Sequence, residues 1–427
     1  MNPGPHGEVD VNALAGTQMS DIEAEARAWF QENWDPNMSL IDWWSSLAQS
    51  GWGHPDWPSD WFGRGMSTRA ARAVGAVRRS LGALGPRGGI APMLAGPTII
   101  AHGTEAQRRT FLPDIASGRV VWCQLFSEPG AGSDLAGLAT RAERDGDQWI
   151  VTGQKVWTSG AHYAKWGLLL ARTDHHVPKH RGISYFLIDM EQPGIEIRSL
   201  REMTGRSLFN EVFLTEARVP AHNLLGEQGQ GWQIALTTLG YERTSLGSGS
   251  LGSGATVTID QVDLSMPAGD MVAANQGGGS TARRGPDLLI EMAEEHDRLD
   301  DPLIRQELAR AVTAHRISEW TSRRVRAGVR SGRSPGPEAS IGKLASAANV
   351  WHLGQTALQI TGAPGSLAPP DAPRQAKAAE LLMSSYVLSI GGGSNQIQRN
   401  IIGERVLGLP AEPRPDKSVP FHDLAKN

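Results

Sequence analysis

The sequence predicts an α+β protein built from three consecutive regions, which are helical, β and helical in that order. Apolar residues at helical spacing indicate the first region, beginning with Ile22, Ala26 and Phe30. Short runs of β-forming residues separated by turns follow, and helical periodicity returns from Gly231. We therefore expect an N-terminal helical domain over residues 1–117, a middle antiparallel β-domain over 118–230 and a C-terminal helical bundle over 231–427.

The first region carries several helical segments between breaks. Residues 1 to about 18 are polar and contain Gly and Pro, so we expect a loose tail. Helical periodicity recurs over 69–84, 92–102 and 105–115. The tract from Gly51 to Gly65 is interrupted by Pro and Gly, which predicts an ordered loop that carries aromatic side chains.

The other two regions differ in the period of their apolar residues. β-Formers alternate or cluster in the runs WIVTG, WGLLLAR, ISYFLIDM, IEIRSL and EVFLTEARV, which predicts a sheet. Helices are predicted over 286–297, 302–330, 339–361, about 376–390 and 396–406, with Ser394 as the N-cap of the last. An insertion over about 245–285 is rich in Gly, Ser and Ala, so we expect it to bury little surface.

Composition excludes several classes of protein. The net charge of −4 gives no reason to expect a nucleic-acid partner. No run of about 18 apolar residues occurs, so we expect no membrane span. The N-terminus lacks a charged region followed by an apolar one, so we expect no signal peptide. The single cysteine, Cys123, lies in an apolar run and has no internal disulfide partner, which favours a buried thiol and a cytoplasmic location.

Two patterns resemble ligand sites but lack the context that such sites need. His175, His176 and His180 lie in a polar loop without cysteines or carboxylates at metal-ligand spacing, so we expect a solvated turn and no metal site. The glycines of GEQGQGW miss the spacing and the strand–turn–helix context of a dinucleotide-binding loop.

The stretch from Trp122 to Leu138 carries the strongest functional signal. Its apolar start predicts a strand, which breaks at the sequence PGAG and is followed by Ser133. Glycines allow the backbone to approach a ligand, and successive free N–H groups in such a turn form an anion-binding concavity. The run EPGAGSDLAGL closely resembles the flavin-binding signature of the acyl-CoA dehydrogenase family.

Three other segments resemble the same family at the family's spacing. They are GQKVWTSGA (153–161), NEVFLTEARVPAHNLLGEQGQGW (210–232) and SNQIQRNIIGERVLGLP (394–410). With the first segment they span roughly residues 15–410. The pattern is closest to actinobacterial members that act on bulky acyl-CoAs such as steroid side chains. The resemblance implies the same order of helical, β and helical domains.

The resemblance also implies a reaction. Family members oxidise an acyl-CoA thioester to a 2-enoyl-CoA: a carboxylate takes the α-proton while the β-hydrogen leaves as hydride to flavin N5. An electron-transfer flavoprotein then accepts the electrons. The implied cofactor is FAD, and the implied substrate is an acyl-CoA.

Individual residues match the family's cofactor contacts. The resemblance places Gln124 and Ser127 at the flavin ring and Ser133 at the flavin pyrophosphate or the CoA end of the substrate. Further cofactor contacts are implied for Trp157 and Ser159, which pack on the ring, for Ser394 and Gln396, and for Gln359, which reaches the flavin of another subunit. Ordinary core packing is the alternative for Trp157.

One departure from the family concerns the catalytic base. In many members a glutamate stands two positions before the Ser or Thr of the last motif, and here that position is Gly392. Glycine cannot accept a proton. Either the chain is not catalytic alone, or its base comes from elsewhere.

A replacement base is present on the helix that begins at Gly231. Ala235, Leu239 and Glu242 share one stripe of this helix, and no cation stands three or four residues from Glu242. A carboxylate on an apolar face is desolvated, which suits a general base. Some relatives place their glutamate on this helix in a Glu-Arg pair, which Glu242 and Arg243 match. We expect Glu242 to be the base and Arg243 to contact the substrate, with a purely structural Glu242 as the alternative.

A second departure concerns the shared cofactor site. Family members usually carry an Arg-x-x-Phe-Gly stretch after this helix that reaches the neighbouring subunit's flavin, and the insertion occupies that region here. The chain therefore binds flavin less completely or depends on a partner chain. We expect a homotetramer or a two-component heterotetramer. A non-catalytic subunit that completes the FAD site of another chain is the alternative to an active enzyme.

Overall fold

The computed structural model describes residues 11–247, 262–275, 285–330, 336–367, 373–413 and 418–424. The N-terminal region is helical, as its periodicity predicts, although the first helix already begins at Val11. A π-helical turn at Ala91–Ala95 precedes the fourth helix. The helices are α1 (Val11–Asn33), α2 (Leu40–Ser50), α3 (Thr68–Ser80), α4 (Gly96–His102) and α5 (Glu105–Ala116).

Side-chain caps determine where these helices begin. Ser39 and Ser67 accept hydrogen bonds from backbone N–H groups in the first turns of α2 and α3. Thr104 and Gln107 form a reciprocal capping box at the start of α5. Each cap satisfies a donor that the helix itself leaves without a partner.

The middle region forms one eight-stranded sheet, in the order β6–β7–β3–β2–β4–β5–β8 with β1 paired to β4. The strands are β1 (Trp122–Leu125), β2 (Arg141–Asp145), β3 (Gln148–Ser159), β4 (Trp166–Arg172), β5 (Ile183–Asp189), β6 (Ile195–Leu200), β7 (Phe209–Pro220) and β8 (Leu224–Leu225). Most neighbours run antiparallel, as predicted, whereas β4 is parallel to both β1 and β2. Cys123 on β1 is fully buried, and burial raises the pKa of its thiol.

The C-terminal region is helical again, which confirms the α+β fold. Its helices are α6 (Gly231–Gly247), α7 (Ala268–Asn275), α8 (Pro286–Glu295), α9 (Pro302–Arg330), α10 (Ala339–Thr361), α11 (Ala363–Ser366), α12 (Pro373–Ile390) and α13 (Asn395–Ile401). Apolar side chains of α8, α9, α10 and α12 form one buried cluster. Within the described residues, no helix has the length and apolar character needed to cross a membrane.

Part of the insertion packs on the N-terminal helices. The Leu40 N–H donates to the Met266 carbonyl at 2.9 Å, and the Ile41 N–H donates to the Leu264 carbonyl at 3.0 Å. Ala268 at the start of α7 is fully buried in the N-terminal core. The expectation that the insertion buries little surface is therefore wrong for residues 262–275, because their apolar side chains find a core outside the C-terminal region. Residues 248–261 and 276–284 lie outside the described part of the chain.

The three regions meet at one apolar junction. Phe111 of α5 makes edge contacts with Trp122 of β1 and Trp166 of β4, at centroid distances of 5.6 and 4.9 Å. Ile234 and Ala235 of α6 belong to the same buried cluster. Because buried aromatic contacts of this kind contribute strongly to packing, the junction fixes α6 relative to the sheet.

Candidate active site

The glycine-rich loop that follows β1 is a tight turn with an open backbone. The N–H and carbonyl groups of Glu128 and Ala131 bond to each other reciprocally, at 3.1 and 3.0 Å. Gly130, Gly132 and Ser133 are exposed. A Cβ atom added to either glycine would meet no atom within 4 Å, so the backbone here is accessible to a ligand.

A buried ion pair anchors this loop. Glu128 accepts hydrogen bonds from the Ala139 and Thr140 N–H groups at 2.6 and 3.0 Å and from Lys155 Nζ at 2.8 Å. Burial opposes ionisation of Glu128, but Lys155 and these donors together hold the pKa of the carboxyl below its usual range. Lys155 Nζ also donates to the Phe126 carbonyl at 3.1 Å. This pair was not predicted from the sequence, although both residues lie inside the recognised motifs.

Trp157 stands out from the sheet beside this loop. Its φ of 60° is left-handed, and it lies where β3 bulges against β7 between Lys155 and Thr158. Its side chain is 62% exposed and makes an edge contact with Phe209. This exposure is inconsistent with core packing, which was the alternative for Trp157. A bulge and a strained φ that aim an aromatic ring at open space are typical of a binding site.

The other residues expected at the flavin ring lie on the neighbouring strands. The Ser127 carbonyl accepts the Val156 N–H at 3.0 Å, which places Ser127 next to Trp157. Gln124 lies on β1 and is half-buried. Ser159, at the end of β3, lines a small cleft between the sheet and the loop Gly88–Gly89.

The C-terminal glycine turn meets the β-domain loop. Ser394 caps α13, as predicted, by accepting the Ile397 N–H at 3.4 Å. Its Oγ lies 3.5 Å from Ser133 Oγ. Gly392 and Gly393 before it both have left-handed φ angles, of 64° and 90°. The structure thus brings together two residues that the sequence analysis assigned to the cofactor.

Lys343 bonds to this turn and interacts electrostatically with Glu242. Lys343 lies on α10, is 5% exposed, and donates from Nζ to the Gly393 carbonyl at 2.6 Å. Burial lowers the pKa of Lys343, while the Glu242 carboxylate acts in the opposite direction. Glu242 itself is half-buried on α6. This cation was not predicted, because it lies on a different helix and not three or four residues from Glu242 on α6.

Three predicted site residues receive less support from the geometry. Gln396 is exposed in the first turn of α13, and Gln359 is exposed near the end of α10. The side chain of Arg243 lies outside the described part of the structure. Exposure of Gln359 is compatible with a contact to another chain.

The histidines of the loop between β4 and β5 contact other side chains. His175 packs on Phe421 and His176 on His422, at centroid distances of 5.8 and 4.9 Å. His180 makes an edge contact with Trp232. Among the residues that the structure describes, no group of three potential ligands is placed to hold a metal ion.

Comparison with known proteins identifies the family. Residues 14–119, 123–216 and 271–407 match the N-terminal, middle and C-terminal domains of acyl-CoA dehydrogenases. The chain is 36% identical to the acyl-CoA dehydrogenase IpdE1 of Mycobacterium tuberculosis, over 92% of this chain and 99% of that one. It is 29% identical to the human mitochondrial short-chain specific acyl-CoA dehydrogenase, over 73% of this chain and 69% of that one.

Solved structures agree with this assignment. The Tcur3481-Tcur3483 steroid ACAD is 26% identical, with a TM-score of 0.68 over 93% of this chain and 98% of that chain. A chain of the ChsE4-ChsE5 complex from Mycobacterium tuberculosis is 27% identical, with a TM-score of 0.63 over 96% of this chain and 100% of that chain.

The described residues fit a flavin. Trp157 presents a bare aromatic face, and the glycines of the loop leave the backbone open. The buried atoms Thr158 Oγ1, Asn395 Oδ1 and Gln398 Oε1 have no hydrogen-bond partner among the described residues. A cofactor that carries a flat ring and many polar atoms would cover the exposed face of Trp157 and bond to the open backbone of the loop. The chain belongs to the acyl-CoA dehydrogenase family and is an FAD-dependent oxidoreductase that dehydrogenates acyl-CoA thioesters.

Proposed function

We propose that Glu242 is the base that removes the α-proton of the acyl-CoA thioester. The observation that carries this proposal is the position of Lys343, which bonds to the Gly393 carbonyl and interacts electrostatically with Glu242. The electrostatic interaction supports a Glu242 carboxylate in the neighbourhood of the turn in which Gly392 replaces the glutamate of other members. A carboxylate on α6 would then reach the α-carbon from a different element of the same fold.

The residues of the chain have separate proposed roles in the reaction. Bound FAD would supply the acceptor for the hydride that leaves the β-carbon. The Glu242 carboxylate takes the α-proton, and the Lys343 ammonium favours the ionised form of that carboxylate before the transfer. Half-burial of Glu242 reduces its contact with water and strengthens its interaction with nearby charge.

Two groups of residues are proposed to hold the cofactor and the substrate. Trp157, with its exposed face, is proposed to stack on the flavin ring, and Ser133 is proposed to bond to the pyrophosphate or to CoA. Arg243 is proposed to contact the substrate. The remaining proposed cofactor contacts are Gln124, Ser127, Ser159, Ser394, Gln396 and, from a second chain, Gln359.

The proposed substrate is a bulky acyl-CoA, such as the thioester of a steroid side chain. Similarity to the Tcur3481-Tcur3483 steroid ACAD supports this class. We further propose an electron-transfer flavoprotein as the electron acceptor and the cytoplasm as the location.

The proposed assembly is an oligomer, either a homotetramer or a two-component heterotetramer. Large exposed apolar side chains on three helices of the C-terminal region support it, because the core of a protein interface is enriched in apolar and aromatic side chains. Similarity to the ChsE4-ChsE5 complex supports the heteromer. The exposed side chains are Ile317 and Trp320 of α9, Trp351 of α10, and Tyr386, Val387 and Ile390 of α12.

A non-catalytic partner subunit is the second candidate function, and Gly392 in place of the usual glutamate favours it. Reduction of bound FAD by acyl-CoAs separates the two candidates. The purified protein, alone and with a related partner chain, would be mixed with butyryl-CoA, octanoyl-CoA, cyclohexane-1-carbonyl-CoA and a steroid side-chain acyl-CoA. Bleaching that depends on Glu242 supports the enzyme, whereas bleaching that survives Glu242→Gln assigns the base to another chain or residue.

A further inference from the structure

A fully buried group of three hydroxyls joins the three domains at helix α6. Thr238 Oγ1 lies 3.0 Å from Thr98 Oγ1 of α4 and 3.1 Å from the Tyr185 hydroxyl of β5. All three residues have 0% of their surface exposed. The N-terminal domain, the sheet and the C-terminal region each contribute one member.

The hydrogen-bonding capacity of Thr238 is filled. Thr238 Oγ1 donates to the Ile234 carbonyl at 3.2 Å, one helical turn earlier. A hydroxyl has one donor and two acceptor positions, so Thr238 accepts from both Thr98 and Tyr185. Fully satisfied buried networks of this kind specify one arrangement of the elements they join, because any shift leaves a buried polar group without a partner.

The network lies one helical turn before Glu242. Residues four apart on an α-helix lie on the same face, so the contacts of Thr238 fix the rotation of the face that carries Glu242. Apolar neighbours such as Ile234 and Ala235 pack α6 on the junction, but non-directional contacts tolerate small rotations of a helix. The hydroxyl network adds the directional constraint.

We propose that Thr238 is a positioning residue that, with Thr98 and Tyr185, sets the direction of the Glu242 carboxylate toward the substrate. The proposal rests on the proposed function of Glu242. Thr238 does not touch the reacting atoms in this account, and its effect passes through the orientation of α6.

The test is a double-mutant cycle in which the rate of flavin reduction is measured. The substrate is the acyl-CoA, of the four named above, that reduces the flavin fastest, and the protein is loaded with FAD and combined with any partner chain that it requires. Thr238→Val keeps the shape of the side chain and removes the hydroxyl. We expect it to retain FAD and to reduce the flavin about 10- to 100-fold more slowly, since a small misplacement of a catalytic group costs this much. Thr238→Ser should restore a rate near that of the unmodified protein.

The cycle includes Glu242→Asp, whose carboxylate is already displaced by one methylene. If Thr238 acts through Glu242, Thr238→Val should slow the Glu242→Asp variant much less than it slows the unmodified protein. The matched control is Thr110→Val on α5. Thr110 also donates to a carbonyl four residues earlier, but its side chain is exposed, so this variant should not alter the rate. Tyr185→Phe and Thr98→Val each remove one bond and serve the same comparison if Thr238→Val does not fold.

An unchanged rate in Thr238→Val, or an equal loss in both backgrounds, overturns the proposal. That result leaves the assignment of Glu242 standing if Glu242→Gln is inactive. Full activity of Glu242→Gln instead removes the base assignment and, with it, the route through which Thr238 was proposed to act.

Discussion

The hydroxyls of Ser133 and Ser394 lie 3.5 Å apart, although 261 positions separate them in the chain. Ser133 ends the glycine-rich loop of the β-domain, and Ser394 caps the helix that follows the C-terminal glycine turn. Their approach joins the two motifs that the sequence assigned independently to one cofactor. It also brings the open backbone of the loop close to the turn to which Lys343 bonds, so the proposed cofactor residues and the proposed base share one region of the molecule.

Replacement of Trp157 tests its proposed role at the flavin. Trp157→Ala should weaken FAD binding, because aromatic stacking on a base contributes about 1–3 kcal/mol, or about 5- to 150-fold in Kd. Its exposed ring contributes little to the core, so the melting temperature of the FAD-free protein should not fall. Fluorescence titration with FAD measures the effect, with Trp157→Phe as a control that keeps an aromatic ring. Unchanged FAD affinity in Trp157→Ala would show that the ring serves another purpose.

Lys343 should matter for the pH dependence of the reaction. Lys343→Met removes the cation beside Glu242 and the donor to the Gly393 carbonyl. A nearby cation favours an ionised carboxylate, so its loss should move the acidic limb of the flavin-reduction profile to higher pH. Lys343→Arg keeps the charge and should leave that limb in place. Stopped-flow profiles of both variants provide the measurement, and identical profiles would contradict the proposed interaction.

The buried pair of Glu128 and Lys155 should make stability sensitive to acid. The pKa of Glu128 is held below its ordinary value of 4.5 in the folded protein. The ionised carboxylate therefore contributes to folding stability above pH 4.5, and this stability is lost as the pH falls through the lower pKa of the folded state. Glu128→Gln should therefore reduce the melting temperature at neutral pH. The melting temperature of this variant should also fall less steeply than that of the unmodified protein below about pH 4.5.

Breaking this pair leaves Lys155 buried without a counter-ion, which costs about 3–5 kcal/mol. Glu105→Gln is the matched control, because Glu105 forms an exposed pair with Arg109. This substitution should leave the dependence of the melting temperature on pH unchanged. Calorimetric melting from pH 3 to pH 8 compares the three proteins. Parallel curves for Glu128→Gln and the unmodified protein would show that the pair does not govern acid stability.

The exposed apolar side chains of α9 should lie in a subunit interface. Ile317 and Trp320 are 52% and 61% exposed in the single chain. A charge placed in a buried interface is costly, so Trp320→Asp should dissociate the oligomer and lower its FAD content. Light scattering measures the mass with and without a related partner chain, and Met203→Asp, exposed on the β-domain, is the control. A monomer that is full of FAD and active would contradict the shared site.

Local patterns in the sequence were sufficient to predict the order of the domains and the cap at Ser394. Helical periodicity and capping depend on residues within a few positions of one another, so a single sequence contains the information. The glycine-rich loop was recognisable for the same reason.

Features that depend on tertiary contacts could not be predicted. The electrostatic interaction of Lys343 with Glu242 joins α10 to α6, and the pairing of Glu128 with Lys155 joins the loop after β1 to β3. Neither follows from local spacing. The left-handed φ of Trp157 arises from a bulge that only the register of β3 and β7 defines. The packing of residues 262–275 was not predicted, because the core that they join lies in the N-terminal domain.

The central claim is that Glu242 removes the α-proton, and flavin reduction by Glu242→Gln tests it most directly. The amide has the shape of the carboxylate but no basic oxygen, so the variant should keep its fold and bound FAD. Its rate of reduction by the best acyl-CoA should fall by about 10²- to 10⁴-fold, which is the usual contribution of a general base. Glu294→Gln, exposed on α8, should match the unmodified protein. Reduction of the flavin by Glu242→Gln at the unmodified rate would contradict the account.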